Sequence, residues 1–307
     1  MPSKSILLGV NGSAHTVTAA EVCWELAQRW AAEVTAQHVV DSNAVWDFLG
    51  HEMPGFIGSG PYFAAHETMR NALYGLGRTL LDAYETRAGA MDIDGDSFLD
   101  EGNAVREICQ RALDHDLVVI GHRRNRVRSP SEERRKFVRP STAELVGTYC
   151  PRPLLVVQEK CTTWSSAVIM LASGHTDSSW LSACIKMLKS LAIEPELCYV
   201  GGYPGEDEPP DLHARLAGND RSIADVPFNL VSAEGPDFWW SFEADRDPAT
   251  LLVVPVAREA EAPITACLVD PDALIRYLQA PAMLFWPEEF AGREVMNSCG
   301  SASKSVN

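Results

Sequence analysis

The stretch DLVVIGHRRNRVRSPSEERRKFVRPSTAELVGTYCPRPLLVVQ, Asp116 to Gln158, decides how the chain folds. Leu117 to Ile120 is an apolar run that ends on Gly121, and a loop crowded with arginines follows. Ser141 to Tyr149 has helical character, and Leu154 to Val157, after Pro151-Arg152-Pro153, is a second apolar run. Two short apolar runs joined by a loop and a helix make a βαβ unit, because strands running in the same direction need a crossover connection. In parallel sheets the ligand crevice lies beyond the carboxyl ends of the strands, where Gly121 and its loop emerge.

The chain before this unit follows the same pattern. Ile6 to Val10 reads as a buried strand, and Asn11-Gly12-Ser13 as a turn with Ser13 or Thr16 capping the next helix. Between Thr16 and Trp30, apolar residues recur at Ala19, Val22, Cys23, Leu26, Ala27 and Trp30, the spacing of one helix face. Ala36 to Val40 is the second strand. Residues 42–64 form a long segment punctuated by Gly and Pro and rich in aromatics, among them Trp46, Phe48, Phe56, Tyr62 and Phe63. Its aromatic content predicts packing over the sheet, as a lid on a crevice or as filling for a domain interface. A helix is expected over Ala65 to Ala88, with Met69, Leu73, Leu76, Leu80 and Tyr84 inward, then a strand at Ser97 to Leu99. A helix from Asn103 to Asp114 follows, with Val105, Ile108, Cys109 and Ala112 inward. Asp92 to Asp96 resembles the start of a calcium loop, but Ser97 and Asn103 stand where Gly and Glu would be needed.

These residues carry a resemblance. A strand ending in Gly121, a loop, a helix opening at Ser141, a Pro-x-Pro and a closing strand resemble the C-terminal part of the universal stress protein family. There the loop reads Gly-x2-Gly-x9-Gly-Ser/Thr and cradles the phosphates of ATP. In this chain Arg124 takes the place of the second glycine, and Pro140-Ser141 that of the last Gly-Ser after about six extra residues. The family's first strand usually ends in an Asp that contacts the adenosine part, and Asn11 stands there instead. The resemblance implies an ATP or AMP site at Asn11, Val39, Gly121, Arg124, Ser141 and Thr142, with a degenerate phosphate loop.

The pattern then begins again. Ala167 to Ala172 repeats the first strand, with Ser173-Gly174 in the place of Asn11-Gly12. A helix over Ser178 to Leu191, with Leu181, Cys184, Ile185, Leu188 and Leu191 inward, leads to a strand at Leu197 to Val200. Leu251 to Pro255 parallels Leu117 to Gly121, Pro271 to Leu278 parallels the short helix, and Pro281 to Trp286 the closing strand. The expected fold class is α/β: two tandem universal-stress-type domains, each a parallel five-stranded sheet with flanking helices, Rossmann-like and of the adenine nucleotide alpha hydrolase type. The expected boundaries are 1–160, 161–290 for a degenerate second copy, and a polar tail over 291–307. The resemblance further implies that Leu154 to Val157 and Met283 to Trp286 pair across the domain interface. Residues 201–221 are expected to be a surface excursion, and Phe238-Trp239-Trp240 with Phe242 an aromatic packing cluster.

Composition narrows the function. The 307 residues are 46% hydrophobic and 22% charged, ordinary for a globular protein, with a net charge of −16. A field that acidic disfavours nucleic acid as partner. Against it stand eight basic residues between Arg123 and Arg139, for which three readings remain open. The loop is a solvated face, or an anion site in which arginines replace glycine amides beside Ser141-Thr142, or a patch for a partner. The eight cysteines lack metal spacing and read as reduced core thiols. No apolar run approaches a membrane span and no signal peptide is evident, so a cytoplasmic location is expected. No metal site and no catalytic signature is present, His122 reads as a solvated loop histidine, and the chain is expected not to be an enzyme. The three departures at Asn11, Arg124 and Pro140 favour a stress-response or signalling protein that works through an unknown protein partner, as a homo-oligomer through sheet-edge pairing, without the usual ATP binding. The alternative is an ATP or AMP module in the first domain with an arginine-rich phosphate loop.

Overall fold

The apolar runs assemble into one sheet of ten strands. The structure, a computed structural model, describes residues 4–42, 45, 59–123, 140–158, 164–171, 179–201, 212–218, 220–232, 247, 249–256, 274–275 and 280–290. The first half runs β1 (Lys4–Gly9), α1 (Ala14–Trp30), β2 (Ala32–Val40), α2 (Ser59–Gly89), β3 (Ser97–Glu101), α3 (Ala104–Ala112), β4 (Leu117–Gly121), α4 (Thr142–Tyr149) and β5 (Leu154–Val157). The second half runs β6 (Ser166–Leu171), α5 (Ser179–Ser190), β7 (Glu194–Gly201), α6 (Leu212–Ala217), α7 (Arg221–Ala224), β8 (Phe228–Ser232), β9 (Thr250–Val256) and β10 (Ala282–Pro287).

Across the sheet the order is β3-β2-β1-β4-β5-β10-β9-β6-β7-β8. Both halves therefore have the same order, counted from the outer edge inward, and every pairing is parallel except β5 with β10. The repeat extends to a backbone detail. Ala31, which ends α1, and Ala192, just after α5, both adopt left-handed backbone, φ 49° and φ 57°, at the turn into the second strand of their half.

The inner strands are covered on both faces, which is why they read as continuous apolar runs with no alternation. Side chains along β4 alternate between two apolar layers. Leu117 and Val119 face α1, while Val118 and Ile120 belong with Ile108 of α3 and Val146 of α4. Each layer runs through both halves: the first also holds Leu284, Met187 and Leu191, the second Met283, Phe285 and Ile275. The expected inward faces of α1 and α5 are all buried.

Several elements differ from expectation. β2 begins at Ala32, four residues early, because its first turn of chain alternates buried and exposed side chains, as at a half-covered strand start. α2 begins at Ser59, so Tyr62 and Phe63 are helical and 36% and 62% exposed; they do not pack over the sheet. The rest of the aromatic segment, 43–44 and 46–58, lies outside the described residues. At 31 residues α2 outruns the strands it covers, so among its described residues full burial is confined to Gly77, Leu81, Tyr84 and Ala88, and Leu76 is 51% exposed. Arg70 and Tyr74 fasten it to Glu101 at the end of β3.

Part of the presumed surface excursion is α6, whose Leu216 and Ala217 are buried, and the third strand of the second half is β8. The 238–242 cluster and the 291–307 tail lie outside the described residues. Five cysteines are described, all free; four of them are buried and Cys109 is partly so. No helix among the described residues is long and apolar enough to cross a membrane.

The pairing expected across the interface is present within the chain. Ala282, Met283, Leu284 and Phe285 stand opposite Val157, Val156, Leu155 and Leu154 in antiparallel register. Gln158 extends it, its N–H donating to the Pro281 carbonyl and its side-chain amide to the Ile275 carbonyl at 2.9 Å. Leu155 and Leu284 are directly opposite and each 2% exposed. Leu155→Ala and Leu284→Ala should each cost about 2–5 kcal/mol in urea denaturation. The double variant should lose less than their sum, by about 0.5–3 kcal/mol. Strict additivity would mean that the two halves do not pack as one unit.

Candidate functional site

A cleft of about 260 Å³ opens at the carboxyl ends of β1, β2 and β4. The connection after β1 turns toward β2 and the connection after β4 toward β5, so the loops part here, the place where open α/β sheets hold ligands. Asn11, Val39, Gly121 and Thr142 all line it, so four of the six residues singled out in the sequence meet around one cavity. Ser141 adjoins as the N-cap of α4 and is not itself in the lining. Arg124 and the rest of the basic loop through Arg139 lie outside the described residues.

Each of these residues is held by local structure. The Asn11 side-chain oxygen accepts from the Ser13 N–H at 2.9 Å and the Thr16 hydroxyl at 2.6 Å. A backbone N–H demands an acceptor, so the amide orientation is settled, and the Asn11 nitrogen is the atom left for a ligand. Ser13 occupies the N-cap position of α1 but makes no side-chain cap bond; Asn11 organises the turn instead. Gly121 serves packing. A Cβ there would stand 2.5 Å from the His15 carbonyl oxygen and 2.9 Å from the Thr16 nitrogen, so only glycine lets α1 rest on the end of β4.

α4 opens with a capping box: the Ser141 N–H donates to Glu144 at 2.7 Å and the Glu144 N–H to the Ser141 hydroxyl at 3.2 Å. The helix starts squarely at the cleft as a result, with Thr142 and Ala143 in its wall.

Sequence reading missed Gln37, His38, Asp41 and Ile108, which also line the cleft. The sequence held little signal for Gln37, since β2 also carries Glu33, Thr35 and His38. His38 donates through Nδ1 to the Val10 carbonyl at 2.8 Å, which fixes its ring beside the cleft.

His122 is a correction. Expected in solvent, it is only 6% exposed, because the strand pairing continues through it, its N–H donating to the Val157 carbonyl at 2.8 Å. Burial lowers its pKa from the ordinary histidine value, with Glu144 opposing and His15 reinforcing that shift.

These features define a class: a doubly wound α/β body with a cleft at its switch point. The family model described as the universal stress protein family matches residues 2–158, and the chain belongs to that family. No curated protein matches the sequence. Among solved structures, a universal stress protein from Archaeoglobus fulgidus DSM 4304 is 12% identical with a TM-score of 0.62, over 94% of this chain and 99% of its own. A universal stress family protein from Burkholderia pseudomallei is 22% identical, over 50% of this chain and 95% of its own, TM-score 0.35. One from Arabidopsis thaliana, with AMP bound, is 14% identical, over 50% and 91%, TM-score 0.33.

Two outcomes follow from this geometry. Gly121→Ala should lower stability by about 1–3 kcal/mol in chemical denaturation, since the clash is with backbone. A variant as stable as the parent would mean that α1 does not bear on Gly121. For His122 the folded state holds the proton less tightly than the unfolded chain does, so stability is full above the ordinary histidine pKa and falls as pH drops through it, near about 6.5. His122→Gln should flatten that limb of the pH profile of the denaturation midpoint; an unchanged limb would assign it to other groups.

Proposed function

We propose that the first half of the chain is a sensing module that holds an adenine nucleotide, with the base and ribose in the cleft and the phosphates toward the rim where Arg123 leaves β4. The observation that carries this reading is the convergence of Asn11, Val39, Gly121 and Thr142 on one cleft of about 260 Å³. That volume lies near the lower end of ligand pockets and suits a nucleoside better than a whole triphosphate. Apolar walls from Val10, Val39, Ile108 and Ile120, with a few convergent polar groups, suit a planar heterocycle. On this reading the module answers ligand by altering its contacts with a protein partner in a cytoplasmic stress or signalling response, and it catalyses no reaction.

A second reading keeps the partner and drops the ligand. It is favoured by Arg124 and Pro140 where the family has glycines, and by the Asn11 oxygen, which is already committed within its own turn. Self-association by strand pairing, on either reading, has β3 and β8 as its available edges, since β5 and β10 pair with each other.

Isothermal titration calorimetry of the full chain with AMP and ATP separates the two. The ligand reading expects micromolar AMP binding, weakened about tenfold or more in Val39→Phe, which fills the cleft. Val39→Phe is a cleaner control than a change at Gly121, whose loss disturbs α1. No heat with either nucleotide at millimolar concentration would leave the partner reading standing.

A further inference from the structure

One buried polar atom of a residue that lines the cleft has no hydrogen-bond partner among the described residues. Gln37 is 1% exposed, and its side-chain nitrogen donates to Asp100 Oδ2 at 2.7 Å and to the Glu107 carbonyl at 3.3 Å. Both partners are acceptors, so the amide cannot be turned round without setting oxygen against oxygen. Asp100 is itself held by Arg111, through Nη2 at 2.7 Å and Nε at 3.2 Å. Arg111 in turn lies 3.9 Å over the Phe98 ring. The nitrogen is thus pulled toward β3 and α3 by a braced carboxylate. Gln37 itself lines the cleft, and its oxygen is the end of the amide not committed to β3 and α3.

That oxygen is buried and makes no hydrogen bond among the described residues. A buried carbonyl left unpaired is costly, and a leucine or methionine would fill the same space without that cost. An acceptor held in one orientation beside a ligand cleft is the complement of a ligand N–H.

We propose that Gln37 is the specificity-determining residue of the cleft: it accepts a hydrogen bond from an amino group on the bound heterocycle and rejects an oxo group at the same place. This rests on the reading that the cleft takes a nucleotide. An oxo group would bring two acceptors together with no proton between them, and discrimination against a mismatched polar group in a buried site is large. Asp100 and Arg111 are positioning residues, since they decide which end of the Gln37 amide meets the ligand.

The test compares AMP with IMP, which differ in an amino against an oxo group on the base, by calorimetry on the full chain. The parent should bind AMP about tenfold or more tighter than IMP. Gln37→Met should bind both with similar affinity. Asp100→Ala removes the nearer of the two acceptors that hold the Gln37 nitrogen and leaves Arg111 as a donor beside it, so the amide can turn and present nitrogen to the cleft; the preference for AMP should shrink or reverse. A merely structural role for Gln37 would weaken both nucleotides alike. If Gln37→Met fails to fold by circular dichroism, Asp100→Ala decides the matter. Equal binding of AMP and IMP by the parent, or a preference that survives both substitutions, overturns the proposal while the nucleotide reading stands. Binding of neither nucleotide by the parent overturns that reading and this one together.

Discussion

The antiparallel seam between β5 and β10 is the constraint on which the rest of the structure depends. A five-stranded parallel unit with its last strand unpaired presents an apolar edge, Leu154 to Val157, that would recruit another chain. Here the second half supplies the matching edge, Ala282 to Phe285, and both apolar layers then run unbroken from one half to the other. The halves are alike in strand order but joined about a local two-fold arrangement, and only that arrangement sets β5 and β10 in opposite directions.

The seam also sets the surroundings of the cleft. Gln158, the residue after β5, is tied to Pro281 and Ile275 of the second half, and the neighbouring strand end carries Gly121 and His122. The first turn of α1 rests on Gly121 and α4 starts beside it. The loops that bear Asn11 and Thr142 are thus positioned by packing that reaches into the second half. A body with no nucleotide fingerprint of its own in that half can still matter to the cleft in the first, as the support against which its strand ends are held.

Within the cleft, hydrogen-bond polarity is set from below. The Asn11 oxygen is consumed by its own turn, and the Gln37 nitrogen by Asp100 and Glu107. Each amide therefore offers a ligand only one of its two faces. This is chemistry that a residue list cannot convey: the sequence names two amides, each able to donate and accept, and their neighbours remove one option from each.

The parallel strands, α1 and α5 were legible in the sequence because buried parallel strands are continuous apolar runs and amphipathic helices repeat every 3.6 residues, whereas the seam was implied only by the family resemblance. Asn11, Val39, Gly121 and Thr142 were singled out through the family resemblance, and they fall at strand ends and a helix start, where a switch point opens. Sequence periodicity could not show that α2 outruns its sheet, so that Leu76 faces solvent, because the pattern records a stripe and not where the covering strands stop. It could not show that His122 is buried, since that depends on a hydrogen bond to Val157, a strand away in space and 35 positions along the chain. Nor could it show which end of the Gln37 amide is committed, since that follows from Asp100 and Arg111 on a neighbouring strand and helix. Local pattern determined which elements form, because propensity and burial are properties of short stretches. The tertiary structure decided which polar atoms are left to act, because that depends on neighbours brought together from distant parts of the chain.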